Sequence, residues 1–460
     1  MNPGARLDCD VLVVGGGLAG AVAALAARAA GARVALARRA PGATALSSGA
    51  ISTGTDPTAL PGTFLGARAG VADSARRLAA VRPRHPYAVA GERLDRLEEA
   101  LAFAAGELGA VLAPFTGRHR WLATPYGSFR AAALCQRTMA AADLGEARGT
   151  LAAVALRGHL AWDAGMVAAA VERAAPLGGP RAEVARLDFP MWEEAALWRP
   201  HELARFLERP GVAEDLGSML RRALPPGAAG ALFPPVLGLT PGADVAGRIA
   251  AAAGVPVAET LSDVPSVPGL RLQAAIEARL DAAGVEVLPG DLREARGPGA
   301  PASCAGREVL AAAWVLATGR FVGGGVVRRG TLAESLLGIP VTAAEAFGDW
   351  GAHLAGRPAA SLTHRESRAP QPLLSAGVAA DRLFRPVDAH GAVIHERLFA
   401  AGSVLGGHEQ AADGSGLGVA VFTGFLAGQA AAAGGGLARA SAALGPPLGG
   451  LGPAGGGGGA

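Results

Sequence analysis

Cysteine, aromatic side chains and charge are all scarce in this chain, and each shortage removes a class of protein. Three cysteines occur in 460 residues, Cys9, Cys135 and Cys304, far apart from one another. An odd, scattered count excludes a secreted disulfide scaffold and suits a reducing cytoplasm. No CxxC or similar run is present, so the chain is not expected to hold a metal, whether iron–sulfur or zinc, through its own thiolates. Any such cluster would come from another polypeptide. Charged residues make up 18% of the chain, with a net charge of +3. The arginines stand singly among Ala and Leu, without the basic block or stripe that marks nucleic-acid binding. The first apolar run follows Asp8 and Asp10 and is soon broken by glycines, unlike a signal peptide. One long uncharged stretch, between Asp413 and Arg439, has the length to span a bilayer. It is rich in Gly and Ala and begins GSGLG, which reads as a buried helix behind a glycine loop.

What the chain does have is a large apolar fraction, 50%, and 68 glycines, enough for two domains or one domain carrying another. The opening stretch is the most informative. Asp10 to Val14 (DVLVV) reads as a buried parallel strand. Gly15, Gly17 and Gly20 follow in GxGxxG spacing, LAGAVAALAARAAGA reads as a helix, and Arg33 to Ala37 as a second strand. The first glycine permits a tight turn, the second lets a pyrophosphate approach the backbone, and the third lets helix and strand pack closely. Anion binding then falls to the positive helix end around Leu18, Ala19 and Gly20. The plainer alternative is a βα turn that binds nothing, but a motif flanked by both strands and the helix favours a dinucleotide or flavin.

Arg38 and Arg39 close this unit where an acid ordinarily accepts hydrogen bonds from ribose hydroxyls. Arginine cannot accept them, but it can face a phosphate bidentately. Three ligands suit that exchange: FAD held without the ribose carboxylate, FMN with its terminal phosphate near the arginines, or NADP.

Later stretches favour flavin. ATALSSGAIS, with Ser47, Ser48 and Gly49, can let a planar ring approach closely. REVLAAAWVLATGRF supplies a strand and the turn Ala317-Thr318-Gly319. RLFAAGSVLGG reads as a strand ending in Gly402-Ser403, and DGSGLGVAVFTGFLAGQAAA as a glycine loop entering a helix. The helix end at Gly416, Leu417, Gly418 and Val419 is placed to stabilise negative charge on a reduced isoalloxazine.

With these stretches in hand, the chain resembles the family of B subunits of anaerobic glycerol-3-phosphate dehydrogenase. The likeness rests on LSSGAIS, PPVLGL (Pro234 to Leu239) and SDVPSVPGLRLQAAIEARLDAAGVEVLPGD (Ser262 to Asp291). It continues through VLATGRFVGGGVV (Val315 to Val327), GVAADRLFRPVDAHG (Gly377 to Gly391) and LFAAGSVLGGHEQAADGSGLGVAV (Leu398 to Val421). A basic residue after the second strand and Gly-Ser in place of Gly-Asp are similar to that family's pattern, which favours FMN over FAD. The resemblance implies oxidation of sn-glycerol 3-phosphate to dihydroxyacetone phosphate, with electrons passing to a menaquinone-type pool. It also implies an FAD-containing A subunit and an iron–sulfur, membrane-anchoring C subunit, with this chain cytoplasmic and peripherally associated with the inner membrane. HEQAADGSG departs from the family's sequence after VLGG, so His408 inherits no role.

The expected fold is α/β: a discontinuous Rossmann-like FAD/NAD(P)-binding flavoprotein domain with an inserted, helix-rich second domain. The flavin domain is expected over 1–80, 262–330 and 376–435, the inserted region over 81–261 and 331–375, and a flexible Gly/Pro-rich tail over 436–460. Oxidation of a phosphorylated alcohol needs cations for the phosphate and a base for the hydroxyl. Arg320, Arg328, Arg329 and Arg365 are candidates for the phosphate, and His364, His390 and His408 for the base; each has a plainer alternative as a surface residue. No catalytic residue is assigned. Two other functions fit: an electron-relay and assembly role with substrate oxidation in the A subunit, or a flavin oxidoreductase of another small hydroxy-substrate.

Overall fold

The computed structural model describes residues 6–54, 70–159, 161–188, 198–329, 331–342, 358, 360, 363–366 and 371–438. The chain divides into two compact units, one built from 1–43, 78–100 and 279–460, the other from 44–77 and 101–278.

The first unit is organised by a six-stranded sheet. The opening strand Leu7–Val14 lies between Val34–Arg38 and the long strand Arg307–Leu316, parallel to both. Glu286–Pro289 extends the sheet beside Val34–Arg38, and Leu398–Ala400 pairs with the far end of Arg307–Leu316, both in parallel. Ala302–Cys304 is the antiparallel exception. Val11 to Val14 and Ala313 to Leu316 are buried, as expected of a sheet covered on both faces.

Two helices packed side by side cover one of those faces. The opening helix Leu18–Ala29 is buried from Leu18 to Ala27. The closing helix Gly416–Ala438 packs along it, and the fit depends on small residues four apart. A Cβ on Gly424 would lie 2.5 Å from the Ala19 carbonyl oxygen, and one on Gly428 would overlap that of Ala23. The two backbones are therefore in direct contact along this seam. By length and composition the closing helix could cross a bilayer; over Gly416–Gly434 it is mostly buried in this unit's core.

The second unit has the helices expected of the insertion and also a parallel sheet of its own. Its strands run in the order Arg181–Leu187, Thr150–Leu156, Ala228–Phe233, Val257–Glu259. Helices Pro200–Leu207, Val212–Ala223 and Val245–Ala253 pack one face through Leu203, Phe206, Leu216 and Ile249. Helix Ala164–Ala174 packs the other through Val167 and Val171.

Three stretches that carry the family resemblance meet inside this unit. Arg271, on helix Val267–Ala282, pairs with Glu259 at 2.7 Å, with both side chains buried. It also donates to Gln136 at 2.7 Å, to Thr138 at 3.0 Å and to the Gly238 carbonyl at 2.8 Å. Glu259 in turn accepts from the Leu237 amide at 3.0 Å, so PPVLGL and SVPGLRL are locked together. Ser266 donates to the Ser47 carbonyl at 2.6 Å, which brings in LSSGAIS.

The unit boundaries differ from those expected. Residues 78–100 belong to the first unit, because Tyr87 packs on Phe422 of the closing helix with ring centroids 5.6 Å apart. Residues 44–77 and 262–278 belong to the second, held by the Arg271 and Ser266 contacts. Residues 331–342 join the first through the hairpin of Val326–Arg329 with Thr331–Glu334. The expected tail beyond Ala438 lies outside the described residues.

Candidate functional site: the carboxyl edge of the first sheet

Parallel strands end at one edge, and here that edge collects turns from distant parts of the chain. Gly15 N donates to the Ala37 carbonyl, Ala317 N to Val14, Ala401 N to Leu316 and Gly290 N to Arg38, all at 2.8–2.9 Å. The GxGxxG turn, Ala317-Thr318-Gly319 and Gly402-Ser403 are thereby brought onto one rim, where ligands of open α/β sheets bind.

Gly15 and Gly20 of the opening turn each have a visible reason. Gly15 has φ +127°, and any side chain on it would strike the Ala317 carbonyl. Gly20 leaves no room for a Cβ against the Gly15 carbonyl. Gly17 caps the opening helix in an extended conformation, with no side-chain cap and no acid in the first turn. The positive end of this helix is not neutralised by its own side chains, which suits a phosphate.

Arg38 lays its stem across the turn: a Cβ on Gly16 would lie 2.6 Å from Arg38 Cδ. Arg39 is exposed and reaches Asp291 at 3.9 Å. Both arginines border the turn at the end of the second strand.

The other turns are braced from behind. Gly402, at φ +73°, touches the opening helix, since a Cβ there would lie 2.6 Å from that of Ala19. Its amide donates to Thr423 Oγ1 at 2.8 Å, which donates to the Val419 carbonyl at 2.6 Å. Thr318 lies 3.4 Å from Glu334, whose carboxyl is pushed up by burial despite accepting from the Leu336 and Leu337 amides. Ser403 sits across from Gly319.

Arg320 is not a phosphate ligand. Its buried guanidinium donates to three backbone carbonyls, Ser403 at 3.1 Å, Leu405 at 3.0 Å and His408 at 3.1 Å. Burial lowers it to about 10, against the opposing pull of Glu409 and Asp413. It holds the loop 403–408 in shape, with three of its five N–H donors given to backbone carbonyls.

His408 is equally far from a solvent-facing base. It is 1% exposed, neither ring nitrogen has a hydrogen-bond partner among the described residues, and burial holds it well below the ordinary histidine range. Its ring meets that of His85 edge-on, with centroids 5.7 Å apart. Nothing in the local sequence RHPY signals a role for His85. Its Nδ1 accepts from the Tyr87 amide at 3.1 Å, so Nε2 carries the proton donated to Ser415 Oγ at 2.9 Å. Burial drops His85 to about 3, helped by Arg82. Ser415 immediately precedes the closing helix, whose first residues are Gly416, Leu417, Gly418 and Val419, with no acid in the first turn. A neutral, fixed imidazole thus anchors the start of that helix.

The remaining expected residues lie elsewhere. Ser47, Ser48 and Gly49 belong to the second unit, where Gly49, at φ +89°, abuts Pro268. Arg328 lies on the hairpin, and Arg365, His364 and His390 are exposed in loops. The side chain of Arg329 lies outside the described residues. All three cysteines are buried thiols, with Cys9 raised to about 12 and Cys135 to about 11 by desolvation. Among the described residues no group of three or more His, Cys, Asp or Glu is arranged to hold a metal.

The sequence profile of the FAD binding domain matches residues 10–419. The chain belongs to that family. The rim fits a flavin: a side-chain-free turn, two helix ends without acids and a second glycine turn seated against the opening helix. This flavoprotein is also similar to curated relatives. The B subunit of anaerobic glycerol-3-phosphate dehydrogenase from Yersinia pestis is 28% identical over 90% of this chain and 95% of its own. A probable B subunit of that dehydrogenase from Halobacterium salinarum is 32% identical over 44% of this chain and 46% of its own. Among solved structures, 3-ketosteroid delta1-dehydrogenase from Sterolibacterium denitrificans aligns over 93% of this chain and 99% of its own, at 12% identity and TM-score 0.39.

Proposed function

We propose that this flavoprotein is the B subunit of an anaerobic glycerol-3-phosphate dehydrogenase. The complex would oxidise sn-glycerol 3-phosphate to dihydroxyacetone phosphate and pass electrons through partner subunits to a quinone pool. The observation that carries the reading is the convergence of Gly15–Gly20, Ala317–Gly319 and Gly402–Ser403 at one sheet edge. A bound flavin supplies a two-electron acceptor there. The chain supplies the opening helix end for the phosphate and the closing helix end, held by His85 and Ser415, for the ring system. Arg38 and Arg39, in place of a ribose-binding acid, favour FMN, with FAD as the other form. An FAD-containing A subunit and an iron–sulfur, membrane-anchoring C subunit complete this reading, and they place the chain peripherally on the inner membrane.

A second placement of substrate oxidation has a specific observation in its favour. Arg320 is spent on carbonyls and His408 is sealed, so neither joins a cation clamp or an accessible base. This favours a flavin-bearing relay, with carbon–hydrogen cleavage in the partner A subunit. Anaerobic titration of the purified chain with sn-glycerol 3-phosphate separates the two. Bleaching of the flavin by the chain alone assigns oxidation to it, whereas bleaching only in the presence of the partner assigns the relay. Release of the cofactor by denaturation, followed by mass measurement, decides FMN or FAD; no flavin at all would overturn the proposal.

A further inference from the structure

Glu334 is a buried acid that the flavin reading leaves unused. It ends the hairpin strand Thr331–Glu334 and is 1% exposed. A buried carboxylate is ordinarily paired with a cation. Among the described residues Glu334 has none. One carboxyl oxygen accepts from the Leu336 and Leu337 amides at 3.0 and 2.8 Å, and the other lies 3.4 Å from the Thr318 hydroxyl.

Arginines flank this region without pairing with it. Val326 is the neighbour of Glu334 across the hairpin, and Arg328 stands opposite Leu332. Arg320 is given to the carbonyls of the loop 403–408, and Arg39 lies against Gly324. With no cation to hold it ionised, burial pushes the Glu334 carboxyl up. Its neutral and ionised forms are then closer in free energy at neutral pH than those of an exposed acid.

The position backs directly onto the rim. The Gly325 amide donates to the Arg320 carbonyl at 2.8 Å, and the Gly325 carbonyl accepts from Ser335 at 3.0 Å. A Cβ on Gly325 would lie 2.6 Å from the Thr318 carbonyl, so the hairpin is pressed against the Ala317–Gly319 turn. Thr318 is partly exposed there, and its hydroxyl links the rim to a sealed acid. Capping the two amides needs only an acceptor, which glutamine also supplies. An acid adds the capacity to gain and lose a proton.

We propose that Glu334 takes up a proton through Thr318 when the flavin at this rim is reduced, and releases it on reoxidation. The proposal rests on the flavin reading. If the electrons come from the substrate alcohol, its carbon-bound hydrogen leaves with them to the ring, and Glu334 gains the hydroxyl proton. If they come from a reduced partner subunit, the ring and Glu334 each gain a proton from water. Negative charge added to the ring raises the proton affinity of a nearby carboxylate, because the interior screens charge weakly.

The test follows the midpoint potential of the flavin against pH in the full chain, by equilibration with redox dyes. Wild type is expected to take up about one more proton per flavin than Glu334→Gln across a window of pH. Thr318→Val removes a donor to the ionised form, so that window should move to higher pH. Infrared difference spectra of the wild type, taken within the window, should gain a carboxylic acid C=O stretch on reduction, a readout that needs no variant to fold. Equal proton counts in wild type and a folded, flavin-bearing Glu334→Gln overturn the proposal and leave the flavin reading intact. A wild-type spectrum without that stretch, or a window unmoved in Thr318→Val, would do the same. A purified chain that holds no flavin overturns both.

Discussion

Gly424 faces Ala19 with no space between the two helices: a methyl group on Gly424 would sit 2.5 Å from the Ala19 carbonyl oxygen. The contact joins the end of the nucleotide-binding turn to the closing helix, so it couples stability to the rim. Gly424→Ala is expected to cost about 1–3 kcal/mol, as overpacking does. Gly424→Leu should prevent folding of the first unit. Denaturant melts of the two variants check this, and a wild-type midpoint for Gly424→Leu would contradict the packing.

The opening turn makes a different prediction, because Gly17 caps the opening helix where the proposed phosphate would lie. Gly17→Val should leave the fold intact, as read by circular dichroism, and release the flavin on gel filtration. Retention of a full complement of flavin would place the phosphate elsewhere.

Arg320 should behave as a brace. Arg320→Gln removes three charge-assisted bonds to Ser403, Leu405 and His408 and should cost about 3 kcal/mol or more. Lowered melting temperature and loosened flavin are expected together. A fully stable variant with a raised KM for glycerol 3-phosphate would restore the substrate role.

In the second unit, Arg271→Met would leave Glu259 buried without its cation, at a cost of about 3–5 kcal/mol. Replacing both residues with apolar ones should recover part of that loss. A larger loss in the double variant than in the single one would show that the pair is not the determining contact.

Acid stability follows from the histidines. The unfolded chain protonates His85 near 6.5, whereas the folded chain keeps it neutral down to about 3. The unfolded state therefore binds the extra proton in this window, and stability falls as pH drops below 6.5. His119 and His159, each lowered to about 4 by desolvation, act in the same direction. Each such histidine contributes a slope of up to about 1.4 kcal/mol per pH unit. His85→Asn, which keeps an acceptor for the Tyr87 amide, should show a shallower slope between about pH 6.5 and 5. Equal slopes would mean that His85 is protonated in the folded protein.

Much of the rim was legible because glycine spacing and strand composition are local signals. Gly15, Gly17 and Gly20 announce the turn by their spacing, Gly15 through its positive φ and Gly20 through its close packing, and the GSGLG loop announces the closing helix in the same way. Arg320 was illegible because its partners are carbonyls of residues 403–408, and a carbonyl leaves no trace in a sequence. His85 and His408 were hidden for a related reason, since burial decides their chemistry and nothing beside them predicts it. The second parallel sheet escaped because TLAAVAL and RAEVARL are alanine-rich, and alanine favours helix until tertiary pairing overrules it.

The pairing of Leu7–Val14 with Arg307–Leu316 sets a timetable for synthesis. As the chain leaves the ribosome, residues 101–278 can close their own sheet first. The earliest strand to emerge has to wait for its long partner strand and for the closing helix, and only then is the carboxyl edge of the sheet complete.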